Sequence, residues 1–204
     1  MREKKYVKMM DLLVSKGANV NLKMEGTVDE DVSSLHIAAE AGNVARIKWL
    51  LGRGADVGAT TSNGMVRRGE GGGGGRGGAL RNLLPTSTSR LFRSACHAIQ
   101  TPLHFAARAG KCEVATYLLK HDAFMGARNS ISWTPLHFAS AFGGTQMVKL
   151  LLMAGANKFA SATDGRTPID IARDYGNRSS FEALRVFVEE SIEAKEHLQF
   201  LEFK

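Results

Sequence analysis

The sequence predicts an all-α solenoid of stacked helix pairs joined by short β-hairpins, about four to five units long. Three observations predict it. First, Thr101-Pro102-Leu103-His104-Phe105-Ala106-Ala107 recurs 33 residues later as Thr134-Pro135-Leu136-His137-Phe138-Ala139-Ser140, and again 33 residues on as Thr167-Pro168-Ile169-Asp170-Ile171-Ala172-Arg173. One motif per fixed period is the signature of a repeat array. Second, each copy leads into a turn glycine (Gly110, Gly143, Gly176). Third, apolar residues then recur at spacings of three and four, as in Val114, Tyr117, Leu118 and Leu119, which puts them on one helical face.

Each element of the unit has a physical reason. Threonine caps a helix N-terminus through its side-chain oxygen. Proline at the first helical position gives up only an amide that had no partner, and its fixed φ suits the helix. The alanines let two helices approach closely. Glycine reverses the chain between the helices, and a second glycine past the apolar run is a C-cap signal, as in Gly54-Ala55-Asp56 and Gly155-Ala156-Asn157. A single unit buries too little by itself and must lean on its neighbours.

Working back along the chain, Ser33-Ser34-Leu35-His36-Ile37-Ala38-Ala39 is another copy, followed by Gly42 and by Val44, Ile47, Leu50 and Leu51. Ahead of it, Val7 to Val14 and Gly17-Ala18-Asn19-Val20-Asn21 supply a second helix and its exit, with no first-helix motif before them. The expectation is an array that starts upstream of Met1 or belongs to a longer chain. At the far end Asp170 replaces the histidine and no Gly-Ala-Asp exit follows, so the unit from Thr167 to Glu190 reads as a terminal cap. Ser191 to Lys204 reads as one more helix, with Ile192, Leu198 and Leu201 near one stripe.

These motifs resemble the ankyrin repeat family, over roughly residues 6–64 and 100–190. The resemblance implies antiparallel helix pairs with protruding hairpins, and a concave groove of hairpin tips and first helices that binds other proteins. It also implies that the motif histidine bonds to backbone and to the neighbouring threonine, bracing the turn.

The period is broken once. From Ser33 to Thr101 the spacing is 68, which exceeds 33 by 35 residues. Aligning Gly64 with Ser132 and Gln100 with Trp133 places the excess at Met65 to Ile99, on a hairpin tip. The organisation is therefore repeats at 1–64, a Gly/Arg-rich low-complexity insert at 65–99, repeats with a cap at 100–190 and a helical extension at 191–204. The insert holds Gly71 to Gly75 in a row, and Arg67, Arg68, Arg76, Arg81, Arg90 and Arg93 against Glu70 alone. That is +5 of the chain's formal +7, so the basic character belongs to the insert and leaves the repeats near +2. With few apolar residues to offset about 1 kcal/mol of ordering entropy per residue, its glycine half is expected to be disordered. Three readings stay open: a translated intron, a genuine flexible loop, or an Arg/Gly element that touches RNA or another anionic partner. Clustered arginine would neutralise phosphate, but these arginines are dispersed and lack interleaved aromatics. Gly69, Gly71 and Gly74 spell GxGxxG without a preceding strand, so no dinucleotide site is read, and no phosphate-loop lysine follows. The Arg- and Ser-rich stretch from Ala79 to Ala98 has the composition of a transit peptide but is internal.

Bulk properties point the same way. The chain has 204 residues, 44% of them apolar, with no run of about 18 apolar residues that would cross a membrane. No apolar run follows Met1-Arg2-Glu3-Lys4-Lys5, so no signal peptide is expected. Two cysteines, Cys96 and Cys112, without CxxC spacing suit a reducing intracellular compartment, cytoplasmic or nuclear, and no zinc site. His36, His104 and His137 share one repeat position, but helices packed at about 10 Å hold them too far apart for one zinc. Cys112 has no base beside it, and adjacent Cys96 and His97 do not make a dyad. No catalytic triad, paired-carboxylate or cofactor motif is present.

The expected function is non-catalytic protein binding, as an adaptor or scaffold, with no cofactor and no small-molecule substrate. Nucleic acid ranks behind protein as a partner and would act through the insert. The two residues before each inter-helix glycine are expected to face the groove: Glu40-Ala41, Arg108-Ala109, Ala141-Phe142 and Asp174-Tyr175. The hairpin position before each Thr adds Gln100, Trp133 and Arg166. The predicted contact set is Trp133, Phe142, Tyr175, Arg108, Glu40, Arg166 and Gln100. Trp133 is the expected anchor, because exposed aromatics flanked by arginine have hot-spot composition.

Overall fold

The computed structural model describes residues 11–24, 31–61 and 99–189. The predicted start of the first helix, nearly all of the glycine-rich insert and the predicted C-terminal helix lie outside the described residues. Among them the chain runs as α1 (described over 11–15), a two-stranded ribbon of β1 (Lys23–Met24) and β2 (Val32–Ser33), and then α2 (Ser34–Ala41) and α3 (Val44–Gly52). After the insert come α4 (Pro102–Arg108) and α5 (Cys112–Lys120). Next are α6 (Pro135–Phe138), a π-turn (Ala139–Gly143) and α7 (Gly144–Met153), then α8 (Pro168–Asp174) and α9, described over 178–189. The fold is the all-α solenoid of helix pairs that the period predicts.

Each first helix starts on the residue that the motif marks. Ser33, Thr101, Thr134 and Thr167 have extended backbones as N-caps, and proline follows in the last three. The first helices α2, α4, α6 and α8 stack against one another through residues of almost no bulk: Ala38, Ala39, Ala106, Ala107, Ala139 and Ala172 are fully buried. The second helices add Ile47, Leu50, Val114, Leu118, Met147, Leu151 and Leu184, and all these residues form one continuous core along the array. At the exits of α1, α3, α5 and α7 the chain turns through a left-handed residue, namely Gly17, Gly54, Asp122 and Gly155.

The four hairpins among the described residues share one backbone plan. In the hairpin at 129–133, Asn129 N donates to Trp133 O at 3.0 Å and Ser132 N to Asn129 O at 2.9 Å. Ala162, Gly165 and Arg166 repeat this at 2.9 and 3.0 Å, and the first hairpin keeps the bond from Asp31 N to Met24 O. The hairpin that carries the insert does the same. Thr61 N donates to Gln100 O and Ile99 N to Thr61 O, both at 3.0 Å, and Gln100 N adds a 3.0 Å bond to Thr61 Oγ1. The solenoid is therefore joined across the insert by the same bonds that join its other units. Ile99 occupies the place of Ser132, so it belongs to the hairpin. In the chain as it stands the extra length falls between 62 and 98 instead of ending at Ile99.

Candidate interaction surface

The histidine row forms the frame on which the surface stands. Nδ1 of His36, His104 and His137 accepts the backbone N–H of the N-cap three residues earlier, at 3.2, 3.1 and 3.1 Å. It also receives the cap hydroxyl at 2.8 to 2.9 Å. An acceptor Nδ1 leaves the proton on Nε2, which donates into the next unit: to Gln100 O at 2.9 Å, Trp133 O at 3.1 Å and Arg166 O at 3.3 Å. Each imidazole thus does the work of a capping-box side chain and ties two units together. The following unit's aromatic packs on it, with Phe105 edge-on to His36 at 5.2 Å and Phe138 edge-on to His104 at 5.5 Å. Burial outweighs the favourable backbone hydrogen bonds and brings all three histidines down to about 4. They are neutral frame residues, and among the described residues no group of three or more His, Cys, Asp or Glu is placed to hold a metal.

Asp170 shows the other half of this logic. Its carboxylate accepts from Thr167 N at 3.0 Å and Thr167 Oγ1 at 2.6 Å, which caps α8 as histidine caps the other first helices. Burial would raise it, but these bonds and Arg173 at 2.9 Å hold it below the usual carboxylate range. A carboxylate has no proton to hand onward.

The hairpin position before each Thr is the acceptor of this frame, and that corrects two of the predicted contact residues. Trp133 is only 1% exposed and Gln100 is fully buried. The Trp133 indole stacks on His137 at 6.0 Å and meets Phe138 and Tyr175 edge-on at 5.2 and 6.2 Å. Its backbone N–H bonds to Asn129 Oδ1 at 2.8 Å. A residue whose carbonyl must meet the preceding imidazole is drawn into the joint between units, so Trp133 is not an exposed anchor. Arg166, at the same position, is only partly buried. Burial would lower its guanidinium, but Asp164 at 2.6 Å and Asp174 at 3.2 Å hold it above the ordinary arginine value.

The residues before the inter-helix glycines, in a row of successive units, make two pair contacts. Glu40 is exposed and reaches Arg108 at 2.8 Å, while Arg108 lies over the Phe105 ring at 4.9 Å. Two units on, Phe142 is 50% exposed and stands edge-on to Tyr175 at 5.2 Å. Ala41 and Ala109 hold the equivalent places in the earlier units, so one end of the row is small and the other is an aromatic ledge. Glu40 of this pair is exposed and Arg108 only partly so, and the pair contributes about 1 kcal/mol or less to stability.

The ledge is built by the π-turn. Where the other units have one turn glycine, this unit has Gly143-Gly144, and the left-handed residue is the second of them (φ 75°). The helix runs on through Gly143, and a Cβ there would lie 2.1 Å from Ala107 O. Asn177 of the next unit donates to Ser140 O at 2.9 Å and Ala141 O at 2.7 Å, clamping the widened turn. The glycine doublet was the available sequence signal for this device, and the role of Asn177 had none. Gly143→Ala is expected to destabilise by about 2–3 kcal/mol, as overpacking against backbone does. Urea titration of the variant checks this.

Stacked helix pairs tied by a shared backbone frame, with variable residues along one row, define a repeat protein whose working part is a surface. The chain belongs to the ankyrin repeat family: a model for a single ankyrin repeat matches residues 31–62, and one for three ankyrin repeats matches 78–162 and 103–196. Ankyrin repeats are generic protein-interaction modules. No curated protein matches the chain significantly. No helix among the described residues is long and apolar enough to cross a membrane.

Proposed function

We propose that the chain is a non-catalytic binding module, an adaptor or scaffold, that takes a protein partner on the face formed by its first helices and hairpin tips. The observation that carries this is the Phe142–Tyr175 ledge: a half-exposed aromatic on a turn that Asn177 ties to the next unit through two hydrogen bonds. Large apolar side chains presented by rigid elements lose little entropy on binding, and such residues dominate interface energetics. Arg166 and Asp174 flank the ledge, and Glu40 and Arg108 extend the surface toward the N-terminal units. Trp133 and Gln100 act beneath this surface by holding its units in line. An intracellular site, cytoplasmic or nuclear, fits the free, half-buried thiol of Cys112.

The test is quantitative affinity capture with the parent, Phe142→Ala and, as a control on another face, Met153→Ala. Phe142→Ala is expected to weaken a specific partner about 30-fold, as loss of a hot spot of about 2 kcal/mol does. Its melting midpoint should stay close to that of the parent. Equal capture by all three proteins would refute the assignment of the ledge.

A further inference from the structure

We infer that Met65 to Ile99 are a removable unit, and that the array closes without them, Gly64 taking the backbone place that Ile99 now fills. In every described hairpin the residue two before the first-helix proline position, or its serine equivalent, is preceded by a left-handed residue: Asp31 (φ 62°), Ile99 (61°), Ser132 (61°) and Gly165 (83°). Glycine and aspartate tolerate that conformation, while a β-branched side chain crowds its own backbone there. Ile99 is the only β-branched residue of the four. It is also 48% exposed, so burial of its side chain does not offset the strain.

The sequence just past Thr61 contains the residue that this place favours. Joining Gly64 to Gln100 gives Thr61-Ser62-Asn63-Gly64-Gln100-Thr101, which matches Ala162-Thr163-Asp164-Gly165-Arg166-Thr167 position for position. Glycine then stands where Gly165 stands. The junction removes 35 residues, and the 64-residue separation between His36 and its acceptor Gln100 becomes the 29 found for the other two histidines. The bonds from His36 and Thr61 to Gln100 use residues that remain, and the bond that Ile99 N gives to Thr61 O falls to Gly64 N in the shortened chain, as Gly165 N gives it to Ala162 O. Five of the seven net positive charges leave with the unit. The register of the array is thus kept without the unit, and the basic character of the chain is a property that the unit adds.

Three variants of the full chain test this by calorimetry. Deleting 65–99 leaves Gly64 before Gln100, while deleting 62–96 leaves a loop of the same length with Ile99 in the left-handed place. The two loops are equally long and differ only as Ser62-Asn63-Gly64 against His97-Ala98-Ile99, so their difference reports the fit of these three residues, and Ile99→Gly isolates the left-handed place. The 65–99 deletion is expected to melt about 5 °C above the full chain and above the 62–96 deletion. Ile99→Gly in the full chain should raise the midpoint by a few degrees. A 65–99 deletion that fails to fold, melts at or below the full chain, or melts no higher than the 62–96 deletion overturns the inference, as does an Ile99→Gly variant that gains nothing.

Discussion

Trp133→Ala is expected to cost about 3–5 kcal/mol, the range for removing a large aromatic from a packed core. The indole is all but sealed from solvent and touches His137, Phe138 and Tyr175, so truncation opens a cavity bounded by two units at once. For a chain of this size, the midpoint should fall by about 10 °C or more. Its backbone carbonyl would still face His104, so the frame bond survives while the packing around it does not. Calorimetry on Trp133→Ala beside Phe142→Ala separates the two aromatics. The first should lose stability, and the second should lose partner binding with nearly unchanged melting. A Trp133→Ala midpoint within about 2 °C of the parent would show that the indole is not part of the joint.

Acidification is expected to unfold the array before its carboxylates titrate. Each motif histidine has an ordinary value of 6.5 and is held at about 4 in the fold. As pH falls below 6.5 the unfolded chain takes up protons that the folded chain refuses, so stability drops from there down to about 4 and stays lost below it. A shift of that size corresponds to about 3 kcal/mol per histidine, and three of them to a loss comparable with the whole stability of a domain. The groups around the row do not reverse this. Lys23 and Asp56 act oppositely on His36, as Arg128 and Asp164 do on His137, and His104 faces the other two imidazoles. Protonation would also place an Nδ1 proton against the donor N–H of the cap. Denaturant midpoints measured between pH 7.5 and 4 should fall steeply. His104→Gln, which keeps a donor without a titrating ring, should start lower at neutral pH and lose about one third less on acidification. An unchanged slope in that variant would assign the acid sensitivity elsewhere.

What could be read from the sequence follows from the range of the interactions concerned. The cap, the proline and the histidine lie within three residues of one another, so local chemistry determines their roles and the repeat confirms the pattern. The places of Glu40, Arg108, Phe142 and Tyr175 relative to the turn glycine follow from the repeat, while the pairing of Glu40 with Arg108 and of Phe142 with Tyr175 took the structure to show. Trp133 did not, because the direction of a hairpin side chain depends on the packing of two neighbouring units. The pointer was indirect: Gln100, Trp133 and Arg166 are the residues whose carbonyls the preceding imidazoles need. The π-turn was hidden for a similar reason, since Asn177 stabilises it from 36 and 37 residues away. The period located the extra 35 residues by count, but which residue fills the left-handed place took the backbone to show.

The histidine row also has a polarity. Every imidazole donates toward the C-terminal neighbour, and Asp170 ends the sequence of donors with a group that only accepts. The two ends of the array are therefore not equivalent to cutting. Removing the unit that begins at Arg166 strips His137 of its acceptor and leaves a buried N–H unsatisfied, a costly defect. Removing a unit from the other side frees a carbonyl, which tolerates an open lone pair better than an amide-like donor tolerates none. Truncation from the C-terminal side should accordingly cost more per unit than truncation from the N-terminal side, giving the array a preferred direction of unravelling.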